Sequence, residues 1–297
     1  MRNKILGLLI LLSLLLSFVS CKEKPVLSIY ETEDAYCYIN GNYGNNERHY
    51  FDLVIPKNAV SEKGIILYIH GGGWIAGEKD IYLDTLKDNA SRGYISASVN
   101  YRYADGKKVT CEDMLNDIDA ALLKIKEICL EYGYEVSRLL VTGGSAGAHL
   151  SLMYAYTRSN SAPVTPAAVV SYAGPTDLTD PNFFVTQHKE DVKKMISKVS
   201  GANLTKKSVS ECEEALLLAS PVNYVNSDTV PTLLCQGMKD DVVPYSNATT
   251  LYDLLQQYGV ESELISFPNS GHGLEADQSE SEYANEMFYK YVDMYIK

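Results

Sequence analysis

The sequence lacks the cysteine and histidine patterns that usually hold a metal ion. It has six cysteines but no Cys-x-x-Cys pair, and none of them is grouped with histidines. Because zinc sites need closely spaced thiolate and imidazole ligands, no metal site is expected. Apart from Cys21 the cysteines are odd in number, so at most some of them pair, and one disulfide is possible. Cys129 and Cys235 lie in apolar runs, which predicts buried free thiols.

Positive charge is also scarce. The chain carries 26 Lys and Arg against 38 Asp and Glu, a formal net charge of −12, and removing residues 1–20 with Arg2 and Lys4 would make it −14. A surface of this sign repels phosphate backbones and anionic lipid headgroups. Neither nucleic-acid binding nor peripheral membrane binding is therefore expected as the main task.

The N-terminus has the pattern of an export signal. Arg2 and Lys4 precede an apolar run of about 15 residues, Ile5 to Val19, which is shorter than the ~18–20 residues of a membrane-spanning helix. A polar segment follows at once. We therefore predict a signal peptide over residues 1–20 and a short tether over residues 21–28.

The end of this segment has a second possible meaning. Phe18-Val19-Ser20-Cys21 resembles the bacterial lipoprotein cleavage box, although phenylalanine replaces the usual aliphatic residue. The resemblance implies a lipid on Cys21, membrane attachment through that lipid alone, and a periplasmic or cell-surface location. The alternative is an ordinary signal peptide cut near Ser20, which would leave Cys21 as a thiol.

Beyond the tether, strand-like and helix-like segments alternate without internal repeats or linkers. The predicted strands are 35–39, 48–55, 64–70, 94–100, 138–142, 167–172, 232–236 and 261–267, and the predicted helices are 111–132, 146–157, 246–258 and about 280–296. The first two strands are expected to form a hairpin that turns at Asn40-Gly41-Asn42. The alternation predicts one α/β domain over residues 29–297, with a mostly parallel central sheet and helices on both faces.

Residues 178–219 interrupt this rhythm. They contain charged helix-like pieces and no clear strand. In a parallel sheet an insertion at this point lies over the carboxyl ends of the strands, so we interpret it as a small cap that borders the substrate site. The alternative is a surface excursion without substrate contact.

Gly143-Gly144-Ser145-Ala146-Gly147 matches the pattern G-x-S-x-G. The match alone is weak, but it follows a short apolar strand and opens a helix with apolar residues at helical spacing. Such a strand-to-helix turn holds the serine in a strained backbone conformation and exposes its hydroxyl at the helix N-terminus. Ser145 is therefore the candidate nucleophile.

His70-Gly71-Gly72-Gly73-Trp74 ends the buried strand 64–70. Consecutive glycines let backbone N–H groups approach a ligand closely, and together with the N–H of Ala146 they can form an oxyanion hole. The alternative, a flexible turn, would explain one glycine but not three.

A serine nucleophile needs a base and an acid that orients the base. Among the five histidines, His272 in Ser270-Gly-His-Gly273 follows the last predicted strand and is the best candidate; His149 is expected to pack inside its helix. The acid should precede it in sequence. Asp240 and Asp241 both follow the strand 232–236, and Asp177 is interpreted as a loop or helix-capping residue.

Together these motifs resemble, in order, the α/β-hydrolase esterases over about residues 48–295. The branch they resemble is the acetyl-xylan and feruloyl esterase-like family, a neighbour of the hormone-sensitive-lipase-like esterases. The motifs are His70-Gly-Gly-Gly-Trp74-Ile-Ala-Gly77-Glu-Lys79, Asn100-Tyr-Arg102, Gly143 to His149, Gly174-Pro-Thr-Asp177 and Gly237-Met-Lys-Asp-Asp-Val-Val-Pro244.

The resemblance implies a catalytic triad and an oxyanion hole. The triad would be Ser145, Asp240 and His272, which favours Asp240 over Asp241, and the hole would be formed by Gly72, Gly73 and Ala146. Gln236 departs from the histidine that many relatives carry beside the acid. The implied chemistry is acyl transfer without a metal or organic cofactor.

The expected function is an exported serine carboxylesterase acting on short-chain acyl or hydroxycinnamoyl esters, which are small molecules or are linked to polysaccharide. An amidase or formamidase is an alternative, because His-Gly-Gly-x-Trp also resembles the kynurenine formamidases. A peptidase related to the prolyl oligopeptidases is another. A lipid-anchored binding protein without activity is the non-enzymatic alternative, since a fold does not prove a function.

Overall fold

The computed structural model describes residues 25–297, and the predicted signal peptide and lipid-bearing Cys21 lie outside the described residues. Here the chain forms a nine-stranded sheet in the order β1-β2-β3-β5-β4-β6-β7-β8-β9. The strands are β1 Ser28–Glu31, β2 Ala35–Asn42, β3 Tyr50–Pro56, β4 Gly64–Ile69, β5 Ser96–Val99, β6 Arg138–Gly144, β7 Thr165–Tyr172, β8 Thr232–Gly237 and β9 Ser262–Phe267.

Most of this sheet is parallel. The strands β1, β2, β3 and β5 pair antiparallel to one another, and every pair from β5 through β4, β6, β7 and β8 to β9 is parallel. Parallel strands need crossover connections, which the helices supply. The predicted fold class, a mostly parallel sheet with helices, is confirmed.

The helices cover both faces of the sheet. They are α1 Leu83–Ser91, α2 Cys111–Glu131, α3 Ala146–Thr157, α4 Lys189–Ser200, α5 Val209–Leu218, α6 Tyr245–Gln257 and α7 Gln278–Tyr295. In β4, Leu67 packs in the core shared with α2, α3 and α6, and the adjacent Ile66 packs in the core shared with α1 and α7. Because alternate side chains point to opposite faces, a strand buried on both sides is apolar throughout, as β4 is.

The predicted hairpin turn at Asn40-Gly41-Asn42 is wrong. These residues lie within β2, and the register against β3 shifts between Tyr38 and Gly41, which marks a β-bulge. Asn40 has a φ of 60°, its N–H donates to Asp52 Oδ1 at 2.8 Å, and its own Oδ1 accepts from the buried Lys79. Asn40 therefore adopts its left-handed conformation at a bulge rather than at a hairpin turn.

Two elements, a helix and a strand, were not predicted from the sequence. Helix α1 has nine residues and buries only Leu86, Asn89 and Ala90, which is too little for a clear apolar period. Strand β1 begins at Ser28, the last residue of the predicted tether, and all four of its residues are exposed. Short elements with little buried apolar surface leave no periodic signal.

The cap predicted over residues 178–219 is helical. It contains a 3-10 turn, Pro181–Phe184, followed by α4 and α5. Val192, Ile196 and Val199 form the buried face of α4 at helical spacing. The insertion leaves the sheet after β7 and returns at β8, so it begins at the carboxyl end of a central parallel strand.

The described cysteines are all free. Cys37, Cys111, Cys129, Cys212 and Cys235 are buried, as predicted for Cys129 and Cys235, and this part of the chain contains no disulfide. Within residues 25–297, no helix combines the length and apolar character required to cross a bilayer.

Candidate active site

Ser145 occupies the turn between β6 and α3. Its φ of 55° and ψ of −122° lie outside the regions that non-glycine residues favour, so the predicted strained conformation is present. The Ser145 N–H donates to the carbonyl of Tyr172 at 2.8 Å, which ties the turn to the end of β7. The side chain is thereby presented at the carboxyl edge of the sheet, where α3 begins.

The glycines of the G-x-S-x-G motif are required by close backbone packing. A β-carbon at Gly143 would lie 2.3 Å from the carbonyl oxygen of Ile69, and one at Gly147 would lie 2.0 Å from the same oxygen. Both distances are far below van der Waals contact. Only glycine therefore allows the end of β6 and the start of α3 to pass this closely beside β4.

The structure brings the three predicted triad residues together. The His272 Nε2 lies 2.9 Å from the Ser145 Oγ, and the His272 Nδ1 lies 2.8 Å from the Asp240 Oδ2. The Asp240 side chain is fully buried, whereas His272 is 27% exposed. This chain of hydrogen bonds can carry the serine proton to the imidazole while the carboxylate holds the Nδ1–H tautomer.

Both carboxylate oxygens of Asp240 are fixed by donors. Oδ1 accepts the N–H groups of Val242 and Val243, each at 2.9 Å, and Oδ2 accepts Gln236 Nε2 at 2.9 Å in addition to His272. Gln236, noted in the sequence only as a departure, thus helps to hold the acid. The neighbouring Asp241 is 51% exposed and binds Gln187 instead.

The loop that carries His272 is held by residues that the sequence did not suggest. It joins β9 to α7, and the Asp277 carboxylate accepts the Asn269 N–H at 2.9 Å and the Ser270 hydroxyl at 2.7 Å. The Lys239 N–H, beside Asp240, donates to the Ser270 carbonyl at 3.1 Å. The base and the acid are therefore anchored to one another through their backbones.

The glycine turn after β4 lies beside Ser145. Gly72, Gly73 and Trp74 have positive φ values of 111°, 59° and 62°. Within residues 25–297, the N–H groups of Gly72, Gly73 and Ala146 donate to no backbone carbonyl. They remain available to a ligand.

His70 stabilises this turn through hydrogen bonds and ring stacking. Its Nδ1 lies 2.7 Å from the Gly71 carbonyl, Arg48 Nη2 lies 3.2 Å from its Nε2, and its ring stacks on Tyr101. Burial lowers the pKa of His70 to about 4, so the ring is neutral at pH 7 and donates to Gly71 while it accepts from Arg48. The Arg48 guanidinium also donates to the Gly77 carbonyl at 2.9 Å. Neither the role of His70 nor that of Arg48 in holding this turn was predicted from the sequence.

His149 packs inside α3, as predicted, and links the glycine turn to the end of the cap. Trp74 Nε1 donates to His149 Nδ1 at 3.1 Å, and His149 Nε2 lies 2.7 Å from the Ala219 carbonyl. Burial lowers the pKa of His149 to about 4. The neutral ring with its proton on Nε2 satisfies both partners, and a protonated ring would lose the bond from Trp74.

This burial predicts a loss of stability in acid. The pKa of His149 is about 4 in the folded protein and 6.5 in the unfolded chain. The unfolded chain therefore binds the proton first, and the free energy of unfolding is highest above pH 6.5 and falls as the pH is lowered toward 4. His149→Gln should therefore lose less free energy of unfolding than the wild type between about pH 7 and about pH 4.5, by about 2–3 kcal/mol. Urea denaturation at both pH values measures this, and equal losses in the two proteins would contradict it.

The two other histidines and Asp177 lie elsewhere. His49 sits in the loop between β2 and β3, 3.3 Å from Asp117, and His188 precedes α4, 3.4 Å from Asp241. Asp177 is a loop residue whose Oδ1 accepts the Thr179 N–H at 2.9 Å, as its turn motif predicted. In the described part of the chain, no group of three His, Cys, Asp or Glu side chains could hold a metal ion.

Two pockets meet at Ser145. The large pocket, about 640 Å³, lies on the side of His272 and is lined by Tyr68, Tyr82, Tyr172 and Leu274 among others. The small pocket, about 30 Å³, shares Ser145 but is not lined by His272, and its lining includes Gly73, Ala146, Phe183, Val192, Met195 and Ile196. Phe183, Val192, Met195 and Ile196 belong to the cap, so the cap borders the site at Ser145.

Ser145 lies on a strand-to-helix turn and is hydrogen-bonded to His272, which is in turn hydrogen-bonded to Asp240. The histidine and the aspartate follow later strands of a mostly parallel sheet, and this arrangement defines an α/β-hydrolase. The sequence model of the BD-FAE family matches residues 51–255, which is most of the chain. The chain therefore belongs to the BD-FAE family. The resemblance to α/β-hydrolase esterases is confirmed.

The chain is also similar to curated proteins and to solved structures. The probable carboxylic ester hydrolase LipM of Mycobacterium tuberculosis is 28% identical over 202 residues, covering 65% of this chain and 45% of LipM. A truncated carbohydrate esterase from gut microbiota superimposes with a TM-score of 0.69 at 22% identity, covering 88% of this chain and 99% of that one. Esterase B from Lactobacillus rhamnosis superimposes with a TM-score of 0.69 at 18% identity, covering 89% and 87%.

The solved structures and the curated relatives are similar to this chain in different respects. The solved structures, at these identities, show the fold. The chain spans about half the length of the curated relatives that it matches, with 45%, 50% and 55% of three of them covered.

Proposed function

We propose that the protein is a serine carboxylesterase. The observation that carries the proposal is the unbroken set of contacts from Ser145 Oγ through His272 to the buried Asp240, at 2.9 and 2.8 Å, at the junction of two pockets. The names of LipM and of the two structural neighbours, all ester hydrolases, support the same chemistry.

The proposed mechanism begins with attack of the Ser145 Oγ on the ester carbonyl carbon. The hydroxyl proton passes to His272 Nε2, 2.9 Å away, and the carbonyl oxygen becomes an oxyanion that accepts the free N–H groups of Gly72, Gly73 and Ala146. When the tetrahedral intermediate collapses, His272 gives the proton to the leaving alcohol oxygen. An acyl-serine remains.

Water completes the cycle by the same route. His272 removes a proton from water, the hydroxide attacks the acyl carbon, and the protonated imidazole returns its proton to Ser145 as the carboxylic acid leaves. The buried Asp240 stabilises the imidazolium in both halves of the reaction. Apart from the ester and water, the proposed cycle uses side chains and backbone N–H groups of this chain.

The substrate that we propose is a short-chain acyl ester borne by a bulky alcohol such as a sugar of a polysaccharide. The large pocket supports this, because the side chains of Tyr68, Tyr82 and Tyr172 line about 640 Å³ of space on the side of His272. Tyrosine offers an apolar ring face together with a hydroxyl, a combination suited to sugars. One structural neighbour is named a carbohydrate esterase, which supports the same substrate class.

Paired ester and amide substrates test this function. The purified domain should hydrolyse 4-nitrophenyl acetate and an acetylated oligosaccharide, and should cleave 4-nitroacetanilide and N-formylkynurenine far more slowly. Faster cleavage of the amides would favour the amidase or formamidase alternative. A protein that binds an acetylated sugar but hydrolyses none of these compounds would favour the binding protein.

We also propose that the protein is exported and anchored through a lipid on Cys21. Support comes from the sequence alone, namely the charged start, the apolar run and the Phe18-Val19-Ser20-Cys21 box. In a bacterial host fed labelled palmitate, the wild type should incorporate label and fractionate with membranes, whereas Cys21→Ser should do neither. A soluble, unlabelled wild type cut near Ser20 would indicate an ordinary signal peptide.

A further inference from the structure

The small pocket differs sharply in size from the large one. Its volume is about 30 Å³, against about 640 Å³ on the side of His272. A water-sized group needs roughly 10–15 Å³ on this scale, so the small pocket has room for about two such groups. A methyl group fits, whereas a chain of several methylenes fills the pocket and has to extend past its walls.

The chemistry of the proposed esterase assigns each pocket to one half of the substrate. His272 must protonate the leaving alcohol oxygen, so the alcohol lies on the side of His272, in the large pocket. The acyl group then extends to the other side of Ser145. There it meets the small pocket, which is lined by Gly73 and Ala146 and does not include His272.

Met195 is the side chain in the lining of this pocket that can be shortened with the least disturbance of the core. It projects from the cap helix α4, and its Sδ would lie 2.2 Å from a β-carbon at Gly73, so it packs directly on the glycine turn. Phe183 and Ile196, on the same side, are 2% and 1% exposed and belong to the main core. Met195 is only partly buried, and its unbranched side chain makes it the most adaptable part of the wall.

We propose that Met195 limits the acyl group to about the size of acetyl or propionyl. This inference rests on the proposed esterase function and narrows it, because a hydroxycinnamoyl group does not fit the small pocket. A longer acyl chain has to displace Met195 or leave its methylenes in water. One extra or missing methylene in a hydrophobic pocket changes kcat/KM by about 10–200-fold.

The acyl preference of variants at this position tests the inference. We expect wild-type kcat/KM to fall at least about tenfold from 4-nitrophenyl acetate to 4-nitrophenyl hexanoate, and Met195→Ala to raise the hexanoate-to-acetate ratio by at least about tenfold. Met195→Val shortens the side chain while keeping an apolar wall, and should raise the ratio less. Met294→Ala, at an exposed methionine on α7, is the matched control and should leave the ratio unchanged.

Other results overturn the inference in distinguishable ways. If the wild type hydrolyses hexanoate as fast as acetate, the inference fails while the esterase function stands. If folded Met195→Ala and Met195→Val both keep the wild-type acyl ratio but change the preference between methyl and naphthyl acetates, the pocket assignment is reversed and the inference fails. If the wild type hydrolyses no ester, the proposed function fails together with it.

Discussion

Ser145→Ala is expected to lower kcat for ester hydrolysis by about 10⁴-fold or more. The variant removes the oxygen that attacks the ester carbonyl carbon in the proposed mechanism, and His272 Nε2 loses the partner that lies 2.9 Å away. Binding of the ester should change little, because the pockets and the backbone N–H groups remain. Steady-state kinetics with 4-nitrophenyl acetate measure the loss.

Ser151→Ala is the matched control for this variant. Ser151 lies in α3, the helix that follows Ser145, and its hydroxyl donates to the Gly147 carbonyl at 2.8 Å rather than to His272. It should keep activity within a few fold of the wild type. If Ser145→Ala retained more than about a tenth of the wild-type kcat, another nucleophile would have to be sought.

Asp240→Asn is expected to lower kcat by about 10³–10⁴-fold. Every partner of this carboxylate is a donor, since Oδ1 accepts two backbone N–H groups and Oδ2 accepts Gln236 and His272. The amide side chain of the Asp240→Asn variant keeps more hydrogen bonds when its carbonyl oxygen accepts the two backbone N–H groups. Its NH₂ group then faces His272 Nδ1. The imidazole must then carry its proton on Nε2, where it cannot accept the serine proton.

Asp241→Asn makes the same chemical change one residue away. Because Asp241 is half exposed and binds Gln187 and His188 rather than His272, activity should stay within about threefold of the wild type. Comparable losses in both variants would show that the acid is not Asp240 alone. A loss confined to Asp241→Asn would contradict the assignment outright.

Much of the fold could be predicted from the sequence because the central strands are buried on both faces. Gly64 to Ile69 and Leu139 to Val141 are apolar without interruption, and the helix 111–131 has a clear apolar period. Ser145 and His272 could be chosen because each occupies a short motif directly after a strand, and parallel strands bring their carboxyl ends to one edge.

Other features could not be predicted, because they depend on contacts between distant segments. The Asn40-Gly41 pair has a left-handed preference that suits a turn and a bulge equally, and the contacts of Asn40 with Asp52 and Lys79 decide for the bulge. The contact of Gln236 with Asp240 depends on how the following loop folds back. The position of Met195 over Gly73 depends on the docking of the cap, which no local pattern encodes.

The most direct test of the central claim, that His272 and Asp240 activate Ser145, is to map the adduct of a fluorophosphonate probe by mass spectrometry. We predict one adduct, on the peptide that contains Ser145, and labelling at least about a hundredfold slower in folded His272→Ala. An adduct on a different residue, or labelling of Ser145 at the same rate in wild type and His272→Ala, would contradict it.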